Sequence, residues 1–330
     1  MNPQSLSNKI RVAVLRGGPS PDYDASLQTG EHVLKILRDK PEYYHPVDIF
    51  ISKEGDWHKS GMKVEPHKSL EHVDVVWNAL HGAYGEDGNV QKILSSLHIP
   101  FTGSSTISSA ISTNKDMSKR VYEIHGLFTP RHELITAEDE VEKLVHVFRN
   151  YLHPLVVKPA TAESMRGIRL AYTFDELVKA VDEALEFSDR VLVEEFVRGK
   201  EAACSVIENA HGEELYALIP VEIRTPEKNK RPDYDKKFST AREHLSENSF
   251  TANENRSLEY VAKKAHQALG LRHYSRSDLI LTPQGKIYVL ETSSQPSFGV
   301  DSSLPKSLDL SGWSSEGFLE HVLNLALKNK

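Results

Sequence analysis

The chain has 330 residues, which on a soft prior of roughly 150 per domain is room for two or three domains. Forty Lys and Arg against 47 Asp and Glu leave a formal charge of −7, which argues against a protein built mainly to hold nucleic acid on a basic face. No uncharged apolar run approaches the ~18 residues that span a bilayer, and the N-terminus lacks a signal peptide's apolar stretch, so the expectation is a cytoplasmic, multidomain protein without membrane contact.

Lys9–Leu15 is a β-rich run ending at Gly17-Gly18, and Ser26–Arg38 has helical spacing. Val47–Ser52 and Val73–Leu80 read as buried strands and Asn89–Leu97 as a helix. This alternation argues for a parallel sheet covered on both faces. Gly103–Lys115, rich in Ser and Thr, reads as a crossing into a second unit. There follow a helix over Asp116–His125, a strand near His132–Ile135 and a helix over Ala137–Tyr151. Strands Leu155–Pro159 and Ile168–Tyr172 flank a polar loop, and Phe174–Phe187 is amphipathic. The pattern then turns to strands at Val191–Val197, Ala202–Glu208 and Glu214–Ile223. Cys204, the single cysteine, sits in the apolar AACSVI run and reads as a core thiol rather than a nucleophile. The charged stretch Thr225–Asn248 is either a linker or a loop that closes over a site. A helix over Ser257–Leu271, a hairpin and a helix over Glu316–Leu327 complete the chain.

The hairpin is the most informative piece. Two apolar runs, Tyr274–Leu281 and Lys286–Glu291, are joined by Thr282-Pro-Gln-Gly285. A turn centred there sets Asp278 opposite Glu291, Arg276 opposite Ser293 and Ile280 opposite Val289, all on one face. Facing carboxylates about 5 Å apart repel unless a proton or cation lies between them. A hard divalent ion such as Mg²⁺ would relieve that repulsion. A slipped register, leaving both carboxylates solvated, is the other reading.

Gly17-Gly18-Pro-Ser20 with Asp22, Asp24 and Ser26-Leu27 opens a longer series. It continues through His81-Gly82, Gly85-Glu86-Asp87-Gly88, Pro100-Phe-Thr-Gly103 and Asn114-Lys115. Val156-Val157-Lys158-Pro159, Glu194-Glu195-Phe196, Gly199-Lys-Glu201, and Arg276-Ser-Asp278 with Glu291 end it. In this order and spacing the chain resembles the ATP-grasp enzymes, and among them the D-alanine–D-alanine ligase family. The resemblance implies an α/β ATP-grasp fold. An N-terminal Rossmann-like parallel-sheet substrate domain would cover residues 1–103, a central α+β subdomain 104–193, and a C-terminal subdomain with the metal and catalytic residues 194–330.

The same resemblance implies roles. Lys115 and Lys158 would bind ATP phosphates, Glu194, Glu195, Phe196 and Val197 the adenine edge, and Glu201 the ribose. Ser164 would act from the loop over the phosphates, and Lys237 from the closing loop would join the nucleotide set. Asp278, Glu291 and Ser293 would hold one or two Mg²⁺ ions, with Mn²⁺ an acceptable substitute. Asp22 would hold the first substrate's amino group, Arg276 would stabilise a developing oxyanion, and His81, Phe238 and Ser302 would face the substrates. The reaction implied joins two D-alanine molecules through D-alanyl phosphate, for peptidoglycan synthesis, by a homodimer with only small-molecule partners.

Several positions depart from the family pattern: Asp22 for glutamate, Ser293 for asparagine, Pro296-Ser297 for Pro-Gly, Phe238 where tyrosine is common, and Glu163 and Arg166 in a phosphate loop the family makes rich in Gly and Ser. Phe238 keeps D-lactate open as second substrate, beside another D-amino acid, and Ser293 with the altered phosphate loop keeps a non-catalytic nucleotide-binding relative as a further alternative. Gly17-Gly18-Pro-Ser20 lacks the GxGxxG spacing of a nicotinamide dehydrogenase.

Overall fold

A computed structural model describes residues 9–139, 141–161, 167–224, 244–246 and 249–328. It divides into two compact units. Met1–Ser109, Leu271–Ser275 and Ser294–Lys330 form the first, and Ala110–Gly270 with Arg276–Ser293 the second.

The first unit is built on β1 (Ile10–Gly17), β2 (Tyr44–Ile51), β3 (Trp57–Lys59), β4 (Met62–Lys63) and β5 (Val75–Asn78), in the order β4-β3-β2-β1-β5. β1 runs parallel to β2 and β5, as the alternation of strand and helix implies. β3 and β4 add an antiparallel ribbon at one edge. They are too short to show a period, and their turn at Ser60-Gly61 has both φ angles positive. On one face Ala13, Leu15, Ile49, Ile51 and Val76 pack with Val90, Leu94 and Phe101. Val12 and Val14, pointing the other way, are equally buried, so the sheet is covered on both faces.

The return of Ser294–Lys330 to this unit is explained by aromatic packing. Trp77 of β5 stacks near Tyr274 at 6.2 Å, and Phe298 and Phe318 close the cluster at 5.9 and 6.3 Å from Trp77. The N-terminal helix spans Tyr23–Arg38, with Asp22 at its N-cap position.

The second unit holds two sheets. β6 (His132–Thr136), β7 (Leu155–Pro159), β8 (Arg169–Ala171) and β9 (Arg190–Glu195) form one in the order β6-β9-β7-β8, antiparallel throughout. Helices Val141–Asn150 and Phe174–Leu185 contribute Leu144, Val147, Leu177, Val181 and Ala184 to its core. The division at 193/194 expected from the sequence falls within β9. The other sheet comprises β10 (Lys200–Ala210), β11 (Glu213–Ala217), β12 (Val221–Arg224), β13 (His244–Ser246), β14 (Tyr274–Leu281) and β15 (Ile287–Ser293). Its order is β13-β12-β10-β14-β15, with β11 also paired to β10.

Several elements differ from the sequence expectation for identifiable reasons. The single strand expected over Glu214–Ile223 is broken between Ala217 and Val221, where Pro220 has no N–H for a ladder. The Ser/Thr-rich crossing contains a helix, Thr106–Thr113. The helix expected from Ala137 starts at Val141, because Asp139 instead accepts the Thr136 N–H at 2.7 Å. The helix expected from Ser257 starts at Ala252, set by a reciprocal cap between Thr251 and Glu254.

Candidate functional site

Two clusters of polar residues stand out, one in each unit. In the second unit the β14–β15 hairpin pairs Asp278 with Glu291 and Arg276 with Ser293. Ile280 faces Tyr288, not Val289 as expected, because the register shifts between Asp278 and Leu279. The turn closes with Thr282 N–H on the Lys286 carbonyl, and the extra residue Leu290, a bulge in β15, restores the offset. The two carboxylates are therefore opposed, through a different route.

Each has a cation beside it. Lys115 Nζ lies 3.0 Å from Glu291 Oε2, and Arg276 donates to Asp278 Oδ2 at 2.9 Å. Arg276 thus pairs with a carboxylate of its own strand. Burial works against ionising Glu291, but Lys115, Lys158 and Arg276 hold its carboxyl below the usual carboxylate range. Lys115 is placed by the first turn of helix Lys115–Ile124, capped by Asn114, whose side chain accepts from Met117 N–H at 3.1 Å. β15 is pinned further along by Tyr122, which donates to Thr292 Oγ1 at 2.9 Å, and by Ser112, which donates to the Thr292 carbonyl.

Next to the hairpin lies a buried charge cluster. Glu194 is held between two lysines, with Lys158 Nζ 2.7 Å from Oε1 and Lys119 Nζ 2.9 Å from Oε2. Burial alone would raise the Glu194 carboxyl, yet Lys119 and Lys158 bring it down to about 2. Lys119, absent from the sequence-derived set, has a fully buried side chain. Its amine is lowered to about 8 by burial, partly offset by Glu194. One sequence signal could have found it. Lys119 follows Lys115 by four residues, one helical turn, and so extends the same face.

The remaining nucleotide candidates are close in sequence but differently engaged. Glu195 accepts from Leu152 N–H at 3.0 Å, and Phe196 N–H donates to the Pro154 carbonyl at 3.2 Å. Phe196 and Val197 are half-buried, and Glu201 sits on β10 opposite Ile223 of β12. Gly199 carries no side chain for a steric reason, since a Cβ there would lie 2.3 Å from the Leu281 carbonyl oxygen of β14. Ser164, Lys237 and Phe238 lie outside the described residues, as does most of Thr225–Asn248.

In the first unit, buried His81 is held at both ring nitrogens. Glu86 Oε1 lies 3.0 Å from Nδ1, and Thr29 Oγ1 lies 2.9 Å from Nε2. With the imidazole neutral, Nδ1–H donates to the carboxylate and Nε2 accepts the Thr29 hydroxyl. Thr29 also lies 3.3 Å from Ser297 Oγ, at the position that departs from Pro-Gly. Gly82 has a φ of 68°, and a Cβ there would meet Ser20 Oγ at 2.1 Å and Asp22 Oδ2 at 2.8 Å. The His81-Gly82 turn thus lies directly on Asp22. Gln295, also missed by the sequence reading, donates to the Asn78 and Leu80 carbonyls at 2.6 and 2.9 Å and so fixes the segment leading into Pro296-Ser297. Ser302 Oγ donates to the Ser297 and Gly299 carbonyls, both at 2.7 Å.

The donor set of Asp278, Glu291 and Ser293 is all oxygen. It suits a hard cation that takes its other ligands from phosphate and water rather than from a protein cage. The family model for the D-ala D-ala ligase C-terminus matches residues 122–324, and that for the D-ala D-ala ligase N-terminus matches 58–104. The chain belongs to the D-alanine–D-alanine ligase family.

Full-length comparisons agree. A D-alanine–D-alanine ligase of Cupriavidus metallidurans is 32% identical over 327 residues, covering 99% of this chain and 94% of that one. The one from Syntrophobacter fumaroxidans is 34% identical, covering 98% and 99%. Among solved structures, D-alanyl-alanine synthetase A from Vibrio cholerae superposes with a TM-score of 0.83 at 26% identity, covering 97% and 99%. A Bacillus anthracis D-alanine–D-alanine ligase complexed with ATP gives 0.75 at 27%, covering 97% and 98%. An Enterococcus faecalis D-Ala:D-Ser ligase gives 0.81 at 25%, covering 97% and 100%. The fold is that of the ATP-grasp ligases.

Proposed function

We propose that this chain is an ATP-dependent ligase that joins two D-alanine molecules, supplying the dipeptide for peptidoglycan synthesis. The observation that carries the reading is the opposed pair Asp278 and Glu291 with Arg276 and Lys115 beside them, in a chain that matches the ligase family nearly end to end.

Chemically, a carboxylate is a poor acyl donor, and ATP changes that. The first D-alanine carboxylate oxygen attacks the γ-phosphorus, the bond to the bridging oxygen breaks, and ADP leaves. The second amine then attacks the acyl carbon, and the tetrahedral intermediate collapses with loss of phosphate and of the amine proton. Lys115 and Lys158 would bind polyphosphate as point charges. Glu194 with the Glu195–Val197 backbone would meet adenine, and Glu201 the ribose. Arg276 would stabilise negative charge first on the transferring phosphoryl group and then on the carbonyl oxygen. Asp278, Glu291 and Ser293 would hold Mg²⁺, which neutralises phosphate charge when bound. Asp22 would take the amino group of the first D-alanine, and His81, kept in one tautomer by Glu86 and Thr29, would orient substrate. Ser164, Lys237 and Phe238 keep the roles implied by the resemblance.

The setting proposed is the cytoplasm, with ATP and D-alanine as partners and a homodimer as the assembly. Among the described residues no helix is long and apolar enough to cross a membrane. Positional exchange of a bridging-oxygen label in ATP tests the first step. D-alanine should stimulate it, and its absence with D-alanine bound would remove the acyl phosphate from the scheme.

A second reading changes only the nucleophile. Ser297 places a hydroxyl 3.3 Å from Thr29 where the family pattern has glycine, which favours a ligase accepting D-lactate, D-serine or another D-amino acid.

A further inference from the structure

Lys119 is a buried cation with no part in the mechanism above. Its side chain is fully buried, and its ammonium is divided between two partners. One is Glu194 Oε2 at 2.9 Å, and the other is Thr129 Oγ1 at 2.7 Å. Both lead to the proposed site. The other oxygen of Glu194 takes Lys158 at 2.7 Å. Thr129 passes its own hydroxyl proton to the Val289 carbonyl at 2.9 Å, while Val289 N–H donates to the Phe128 carbonyl at 2.8 Å. Val289 pairs with Leu279 immediately beyond the register shift that sets Asp278 opposite Glu291.

A lysine is a poor choice for a core strut. Removing an ammonium from water is costly, and an apolar side chain of similar volume would fill the space at least as well. What the ammonium provides, and methionine could not, is directed hydrogen bonds to a carboxylate on β9 and to the Thr129 hydroxyl in the segment that holds β15. Two lysines on one carboxylate also leave a net positive charge, a suitable field for polyphosphate.

We propose that Lys119 is a positioning residue that fixes the Glu194 carboxylate, and through it the Lys158 ammonium, while tying both through Thr129 to the bulge of the hairpin bearing Asp278 and Glu291. The inference rests on the ligase reading and deepens it. Lys119 touches neither substrate nor metal; it acts through Glu194 on nucleotide and through Thr129 on the hairpin.

The test uses the full chain and two variants, Lys119→Met and Thr129→Val, each checked for fold by circular dichroism. The readouts are ADP binding by calorimetry in metal-free buffer and the separate KM values for ATP and D-alanine. Lys119→Met removes both bonds of the ammonium, so it should weaken ADP about tenfold or more, raise KM for ATP and lower kcat as Thr129→Val does, with KM for D-alanine within about twofold of wild type. Thr129→Val cuts only the link to the hairpin. It should keep ADP affinity within about twofold and lower kcat at least about fivefold.

Wild-type binding with an unweakened Lys119→Met overturns the inference alone, as do matching rises in both KM values. If Lys119→Met does not fold, Thr129→Val decides, and an unchanged kcat overturns the proposal. A wild-type chain that does not bind ADP at all overturns the ligase reading together with it.

Discussion

Glu291 lies directly opposite Asp278 across the β14–β15 hairpin, and each carboxylate has its own cation, Lys115 at 3.0 Å and Arg276 at 2.9 Å. Two like charges at this spacing would destabilise the strand pair without that neutralisation. With it, they form a site whose charge is balanced and which a divalent ion and polyphosphate can re-partition. Asp278→Asn keeps the shape and removes one charge. Phosphate release from ATP should fall by at least about a hundredfold, with the melting temperature little changed. Unchanged turnover would remove Asp278 from the metal and phosphate chemistry.

Glu194 is the carboxylate in contact with both buried lysines, so its loss leaves each without its nearest anion. Glu194→Gln should cost about 3–5 kcal/mol of stability, measured by denaturant unfolding. The wild-type acid limb follows from the same pair. The carboxyl is held at about 2 from an ordinary 4.5, so its contribution is full above pH 4.5 and is lost as pH falls toward 2. The Glu194→Gln chain should lack that limb.

Lys119 gives a slope of the same sign at the alkaline end. Its value of about 8 lies below the ordinary 10.5, so between those values the unfolded chain binds more protons and this group makes stability rise with pH. The groups that face it are Glu194, Lys158, Glu123 of its own helix and His132 of β6. The wild type should gain on Lys119→Met between pH 8 and 10.5 in denaturant midpoint. A constant difference over that range would contradict the assignment.

These expectations also show what the sequence made legible. The opposed pair on β14 and β15 could be read from two apolar runs and a Pro/Gly turn, since strand period and turn position fix register. The bulge could not, because it depends on Phe128 and Thr129 holding Val289, more than 150 residues away in the chain. Lys158 was legible because it closes an apolar strand. Lys119 was hidden, since a lysine in a helix of mixed polarity looks solvated until the sheet that buries it is known. The return of Phe298 and Phe318 to Trp77 is likewise a long-range packing choice without a local signature.

Gly82 tests the first unit's cluster. At a φ of 68°, with Ser20 and Asp22 inside the reach of any Cβ, Gly82→Ala should cost about 1–3 kcal/mol and raise KM for D-alanine more than KM for ATP. Equal effects on both would separate the His81-Gly82 turn from substrate binding.

Ser297 bears on the choice of nucleophile. Ser297→Gly removes the hydroxyl next to Thr29 and restores the family's Pro-Gly pair. In a mixture of D-alanine with D-lactate or D-serine, the share of D-alanyl-D-alanine should rise. An unchanged product ratio would place the selection elsewhere.

The most direct measurement of the central claim is phosphate release from ATP and Mg²⁺ with D-alanine as the only amino acid, with products identified by mass. The account predicts one D-alanyl-D-alanine for each ADP and phosphate formed. No D-alanine-stimulated phosphate release, or release without dipeptide, would contradict it.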